Sequence, residues 1–222
     1  LLNPAGGEVR VVLGARVPGG PLDNGAWHFG VDAAGAPSRA TLVPIEAKNL
    51  RQWIYPRTQE LYQLLDKAVT LQLDHPDRWM VPVFVCRWAQ DPLGSMARQI
   101  GFHLITTRNQ YIRPLILNDA DNARKLEEIN REFEYRLVPH DEAVPAMVKQ
   151  FRQYLPARID EAAERWAAFA AHPDVPDLVA ALRDDEISNQ ERAEFKDELG
   201  RCVREVTGED VLWAADEADH ET

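Results

Sequence analysis

Leu42-Val43-Pro44-Ile45-Glu46-Ala47-Lys48-Asn49 is the stretch on which the reading of this chain turns. It is a short apolar run that closes on two opposite charges, two residues apart. Alternation along a strand turns Glu46 and Lys48 to the same side. A carboxylate and an ammonium together at the end of a buried strand need a chemical reason. A divalent metal held by the carboxylate, with the amine beside a reacting phosphate, supplies one. A second Glu-x-Lys, Glu194-Phe195-Lys196, lies in a charge-rich helical segment, where positions i and i+2 do not face each other, and it reads as solvated surface. Setting separates the two: the first has an apolar run before it, candidate acids upstream, and a helix and then a strand after it.

Working outward, the first half alternates between strand and helix signals. The Val-rich segment Glu8–Val17 reads as a strand, Gly19-Gly20-Pro21 as a turn, and Ala26–Val31 as a second strand. Gly35-Ala36-Pro37-Ser38 turns the chain back into a third strand, Thr41–Lys48. Pro56 suits the first position of a helix running from Arg57 to about Leu73, with Leu61, Leu64, Leu65, Ala68 and Leu71 at helical spacing. Met80–Trp88 is apolar without alternation and reads as a buried strand. A short helix over Leu93–Ile100, stopped by Gly101, and a last strand over Phe102–Thr107 follow. A meander followed by helix, strand, helix and strand predicts an α/β fold, a mixed sheet flanked by helices.

After Asn118 the pattern is helical throughout. Helices are expected over Asp119–Arg136 (with Leu126, Ile129 and Phe133 as its apolar stripe), Ala143–Phe169 broken at Pro156, Asp174–Arg183 and Gln190–Val206, before a frayed acidic tail at Asp216–Thr222. The chain therefore divides into a mixed core over residues 1–115 and an acidic all-helical extension over residues 116–222. The formal net charge of −11 divides the same way, into +3 for the core and −14 for the extension. The acidity does not exclude nucleic acid as a partner of the core. The extension is expected to pack on the core or to dock a partner protein or a second copy; Trp166-Ala-Ala-Phe169-Ala-Ala is apolar enough for an interface, though an internal core is the preferred reading of that stretch.

No run of 18 apolar residues marks a membrane span, and the first residues lack the basic and apolar segments of a secretory leader. The chain opens on Leu1 rather than Met, so residues before it are expected to be missing. Cys86 and Cys202 are too few for a disulfide framework or a zinc cluster, and a reducing, cytoplasmic setting is expected. There is no phosphate-binding Walker loop, no dinucleotide-binding glycine pattern and no nucleophile elbow.

The order of elements, with Glu46-Ala47-Lys48 closing the third strand, resembles the PD-(D/E)xK nuclease superfamily of restriction-endonuclease-like folds. The resemblance covers roughly residues 8–113. It implies a metal-dependent nuclease, endonuclease ahead of exonuclease and DNA ahead of RNA, working with Mg²⁺ or Mn²⁺. It implies that Glu46 is a metal ligand, that the Ala47 carbonyl joins it, and that Lys48 orients the attacking water and stabilises charge on the phosphate. Hard oxygen ligands and an adjacent cation are what in-line displacement at phosphorus needs. The first acid is Asp32, 14 residues before Glu46, or Asp23 in Pro21-Leu22-Asp23; strand register decides, and Asp32 is preferred. Gln59 is the expected polar residue on the following helix, with Gln63 one turn later as the alternative. Glu8 is an alternative extra acid. Arg51 and Arg57 are candidate phosphate contacts, and Trp53 a candidate stacking residue. The alternatives are an inactive nuclease-fold subunit for binding or assembly, or an ordinary ion pair in an unrelated α/β protein.

Overall fold

The computed structural model describes residues 1–31, 35–112, 120–132, 137–139, 145–211 and 213. Its centre is a mixed sheet. Strands β3 (Asn24–Val31) and β4 (Pro37–Lys48) form an antiparallel hairpin. β4 then pairs in parallel with β6 (Val83–Cys86), and β6 in parallel with β7 (His103–Thr106). Between β4 and β6 in the chain run α1 (Gln59–Asp74) and the two-residue β5 (Trp79–Met80), which also lies beside β4. α2 (Asp91–Ile100) joins β6 to β7. The expected α/β architecture, a mixed sheet flanked by helices, is what forms.

The first expected strand does not join this sheet. Leu13 and Gly14 both take positive φ, 53° and 84°. That is the backbone of a two-residue turn whose twist suits a tight ribbon. Glu8–Val17 therefore folds back on itself as β1 (Val11–Val12) against β2 (Ala15–Arg16). The expected strand Met80–Trp88 is also interrupted, because Pro82 has no N–H to give to the ladder; β5 ends at Met80 and β6 starts at Val83. Pro56 lies ahead of α1, whose N-cap is Thr58. The Pro56 carbonyl accepts instead from the buried Tyr62 hydroxyl at 2.7 Å.

Alternation sorts the sheet into two faces. Leu42, Phe84 and Cys86 pack with α1 and α2, while Val43, Ile45, Val83, Val85 and Ile105 pack with Leu155, Ile159 and Ala163. Beyond the sheet, β8 (Gln110–Ile112) pairs in parallel with β9 (Leu137–Pro139), with α3 (Ala120–Glu132) between them. The stripe expected on α3 is not a core face where it is described: Ile129 is exposed, and Phe133 lies outside the described residues, as does the tail Asp216–Thr222. α4 (Pro145–Lys149) continues through a π-helical turn, Gln150–Tyr154, and a 3₁₀ turn beginning at Pro156. α5 (Ile159–Ala170), α6 (Val175–Arg183) and α7 (Asn189–Thr207) complete the fold, the last opened by a Ser188–Glu191 capping box.

These last three helices share one core with α1 and α2, so the acidic half is packed on the sheet's own layer. Trp166 and Phe169 are fully buried inside it, as the internal-core reading of that stretch expects, and not on a surface open to a second chain. No helix among the described residues is long and apolar enough to cross a membrane.

Gly101 marks how tightly the two halves are joined. It caps α2 with φ of 94°, and a Cβ there would lie 2.5 Å from Trp166 N and against the Ala162 carbonyl of α5. Neither backbone group can move aside. Gly101→Ala is expected to destabilise the fold by roughly 2–4 kcal/mol, read as a lower urea midpoint with an unchanged slope.

Candidate active site

β4 carries Glu46 and Lys48 on the α1 side of the sheet, where the strand leaves the ladder. Their side chains meet: Lys48 Nζ donates to Glu46 Oε1 at 3.0 Å and to Gln63 Oε1 at 2.9 Å. Glu46 is 3% exposed. A carboxylate so buried needs charge compensation and hydrogen bonds, and α1 brings both. Lys67, 4% exposed, donates from Nζ to Glu46 Oε1 at 3.2 Å and Oε2 at 3.3 Å. It gives a further bond to the Pro21 carbonyl at 2.6 Å. Those three acceptors match the three donors of an ammonium.

The Pro21 contact matters because two residues later comes Asp23. Its Oδ2 accepts from the Ala47 N–H at 2.7 Å, so this carboxylate sits across the backbone that joins Glu46 to Lys48. Register explains the placement. Asn24 pairs with Ile45, and β3 begins there, so Asp23 lies opposite the motif. In an antiparallel pair one residue's N–H and C=O leave the strand on the same side. The Ala47 carbonyl thus points toward the side from which Asp23 approaches. Of the two candidate first acids, Asp23 is the one brought to the motif. Asp32 lies outside the described residues, and the strand leading to it ends at Val31, paired with Pro37 at the far end of β4 from Glu46.

The two glutamines also separate. Gln59 Nε2 donates to the Arg183 carbonyl at 2.8 Å, which ties α1 to the end of α6 and directs this side chain away from Lys48. Gln63, one turn on, is the residue that meets Lys48. Glu8 pairs with Arg10 at 2.5 Å on the exposed ribbon and takes no part in the cluster. Arg51 and Arg57 are exposed in the segment after β4, with the Arg57 guanidinium 5.4 Å from the Tyr55 ring centre. Trp53 is exposed and stacks on Trp88.

Lys67 is the residue that pattern reading passed over. It stands three residues after Leu64 and four before Leu71, on the stripe assigned to the core. A lysine on a buried stripe asks for a buried acid, and that signal was present. Cys86 pairs with Lys48 across the ladder, but burial pushes its thiol up to about 12, so it is a packing residue and not a nucleophile.

The donor set suits a hard divalent cation. Asp23 is exposed with one carboxylate oxygen on the Ala47 N–H, Glu46 brings a second carboxylate from the preceding residue of β4, and the Ala47 carbonyl is a third oxygen. Lys48 and Lys67 occupy three of the roughly four acceptor positions of Glu46. One position remains for a metal, and Lys67 competes with it for the same carboxylate. Beyond the strand ends opens a cavity of about 210 Å³, lined in part by Ala47, Lys48, Thr107 and Tyr111. Asn49 holds its rim by bonding the Tyr111 backbone twice, at 2.6 and 3.0 Å.

Removing one member of a buried pair strands the other. Lys67→Met is expected to cost about 3 kcal/mol in a denaturant titration. The double variant Glu46→Gln with Lys67→Met should cost at least about 1 kcal/mol less than the sum of the singles. Additive costs would show that the two side chains do not interact.

Family models, curated proteins and solved structures offer no match to this chain, so the site is read from its own residues.

Proposed function

We propose that this chain is a metal-dependent nuclease that hydrolyses phosphodiester bonds in DNA, with Asp23, Glu46 and Lys48 at its centre. The observation that carries the reading is the single cluster made by Asp23 on the Ala47 N–H and by Lys48 between Glu46 and Gln63. Two carboxylates and an ammonium around one strand terminus suit phosphoryl chemistry. Among the described residues, no histidine or cysteine hydrogen-bonds to this cluster.

Asp23, Glu46 and the Ala47 carbonyl would hold Mg²⁺ or Mn²⁺. Bound there, such an ion supplies a Lewis acid for a phosphoryl oxygen and lowers the pKa of its water toward neutrality. The residues do the rest. Lys48 places a positive charge where negative charge grows on the phosphate, and can donate to the incoming water or to a non-bridging oxygen. Gln63 Oε1 accepts a hydrogen bond from Lys48 and so limits the directions the ammonium can take. Lys67 compensates Glu46 within the low-dielectric interior and anchors the segment that carries Asp23. Gln63 and Lys67 are therefore positioning residues.

A second reading draws on one specific feature. Both Glu46 oxygens already face lysines, so the cluster is electrostatically satisfied without an ion. That favours an inactive nuclease-fold subunit used for binding or assembly. Mn²⁺ titration by calorimetry separates the two, because an inactive subunit would show no binding that depends on Glu46 and Asp23.

The decisive experiment is cleavage of plasmid and linear DNA with Mg²⁺ or Mn²⁺. Lys48→Ala and Asp23→Ala are each expected to lower the rate by about 100-fold or more with the fold retained, and EDTA to abolish it. Cleavage by Lys48→Ala at the wild-type rate would overturn the assignment. Running Asp32→Ala beside Asp23→Ala tests the choice of first acid: loss in the second alone assigns it to Asp23.

A further inference from the structure

On the same side of the sheet as Glu46 and Lys48 lies an open groove of about 480 Å³. Trp53, Trp88, Arg98, Thr106 and Arg108 line it, with Asp91 its one acid. Its position follows from register. Lys48 pairs with Cys86, and Cys86 with Thr106, so the three form one row across β4, β6 and β7. One ladder bond follows the strands, Thr107 N donating to the Cys86 carbonyl at 2.9 Å, and the chain then turns, with Arg108 N donating to the Arg87 carbonyl at 3.0 Å. Ile54 N likewise donates to the Trp88 carbonyl at 3.0 Å. Trp88 stands two residues beyond Cys86, which pairs with Lys48 across β4 and β6.

The groove's chemistry is unusual for plain surface. Trp53 is 45% exposed, and its ring lies 5.2 Å from that of Trp88, tilted by 33°. Trp53 is thus packed against its neighbour while nearly half of it stays open to solvent. Arg98 and Arg108 are both exposed at its margin, and Arg108 holds a positive φ of 57°, uncommon for a side chain of its size. Open aromatic faces flanked by arginines are the elements of a platform for unpaired bases: each base has a π-face to stack, and the cations follow the phosphates. Bases within a duplex are already stacked and offer no such face.

We propose that this groove binds single-stranded DNA beside the scissile phosphate, so that the substrate carries an unpaired segment next to the cut. The inference rests on the nuclease reading for the word substrate, but not for binding.

The test measures binding in EDTA, without turnover, by fluorescence anisotropy of labelled dT16, a 16-base-pair duplex and rU16. Wild type is expected to prefer dT16 to the duplex by at least about tenfold. Trp53→Ala should weaken dT16 binding about tenfold, the loss of one stacked base, and Trp53→Phe should stay within about threefold of wild type. Circular dichroism confirms that each variant is folded. Equal affinity for strand and duplex, an unchanged Trp53→Ala, or tighter binding of rU16 than of dT16 would each overturn the proposal. Selective dT16 binding without cleavage in Mg²⁺ would uphold the groove and count against the nuclease reading, so the two fail separately.

Discussion

The contact between Lys67 and Glu46 organises the rest of the site. A buried carboxylate at a strand end is costly unless a cation and hydrogen bonds meet it, and here the cation comes from the middle of the helix that crosses the sheet. The same ammonium reaches the Pro21 carbonyl, and through that short segment it sets where Asp23 stands. One side chain on α1 therefore fixes the mutual position of two acids that are 23 residues apart in the chain. Gln63, one turn earlier, performs the smaller task of aiming Lys48.

The parts legible in sequence were those governed by local pattern. The apolar run into Glu46-x-Lys48, the stripe of α1 and the stop at Gly101 all follow from periodicity and backbone preference, and all appear where expected. What pattern could not fix was register. Asp23 and Asp32 flank the same apolar stretch in the sequence, and nothing in either neighbourhood states which end of it faces Glu46; the pairing of Asn24 with Ile45 does. Gln59 and Gln63 share a helix face, so only the nearby end of α6 distinguishes the one that binds Arg183 from the one that binds Lys48. The first strand was misread because Leu13-Gly14 is not among the usual turn dipeptides, and Val-rich flanks hid the reversal.

The charge asymmetry takes on a physical sense once the packing is known. Among the described residues, α5, α6 and α7 pack against α1 and α2, and cavities open at the strand ends. Several acids of the helical half pair with its arginines: Glu198 and Glu205 with Arg201, and Glu161 and Glu209 with Arg165. Such exposed pairs add little stability. Their broader effect is a negative field on the flank, which would disfavour a polyanion approaching anywhere but at the open edge.

The end of α6 bears on how this chain could have been assembled over time. Arg183 pairs with Asp66 on α1 at 2.6 Å and also bonds the Gly19 carbonyl, a short way before Asp23. The helical half thereby holds the segment from which one of the two acids projects. Modules that are shuffled between proteins must keep their working parts on one side of the cut. Here any division near residue 115 would leave that anchor on one piece and the acid on the other, so the two halves are expected to be inherited together.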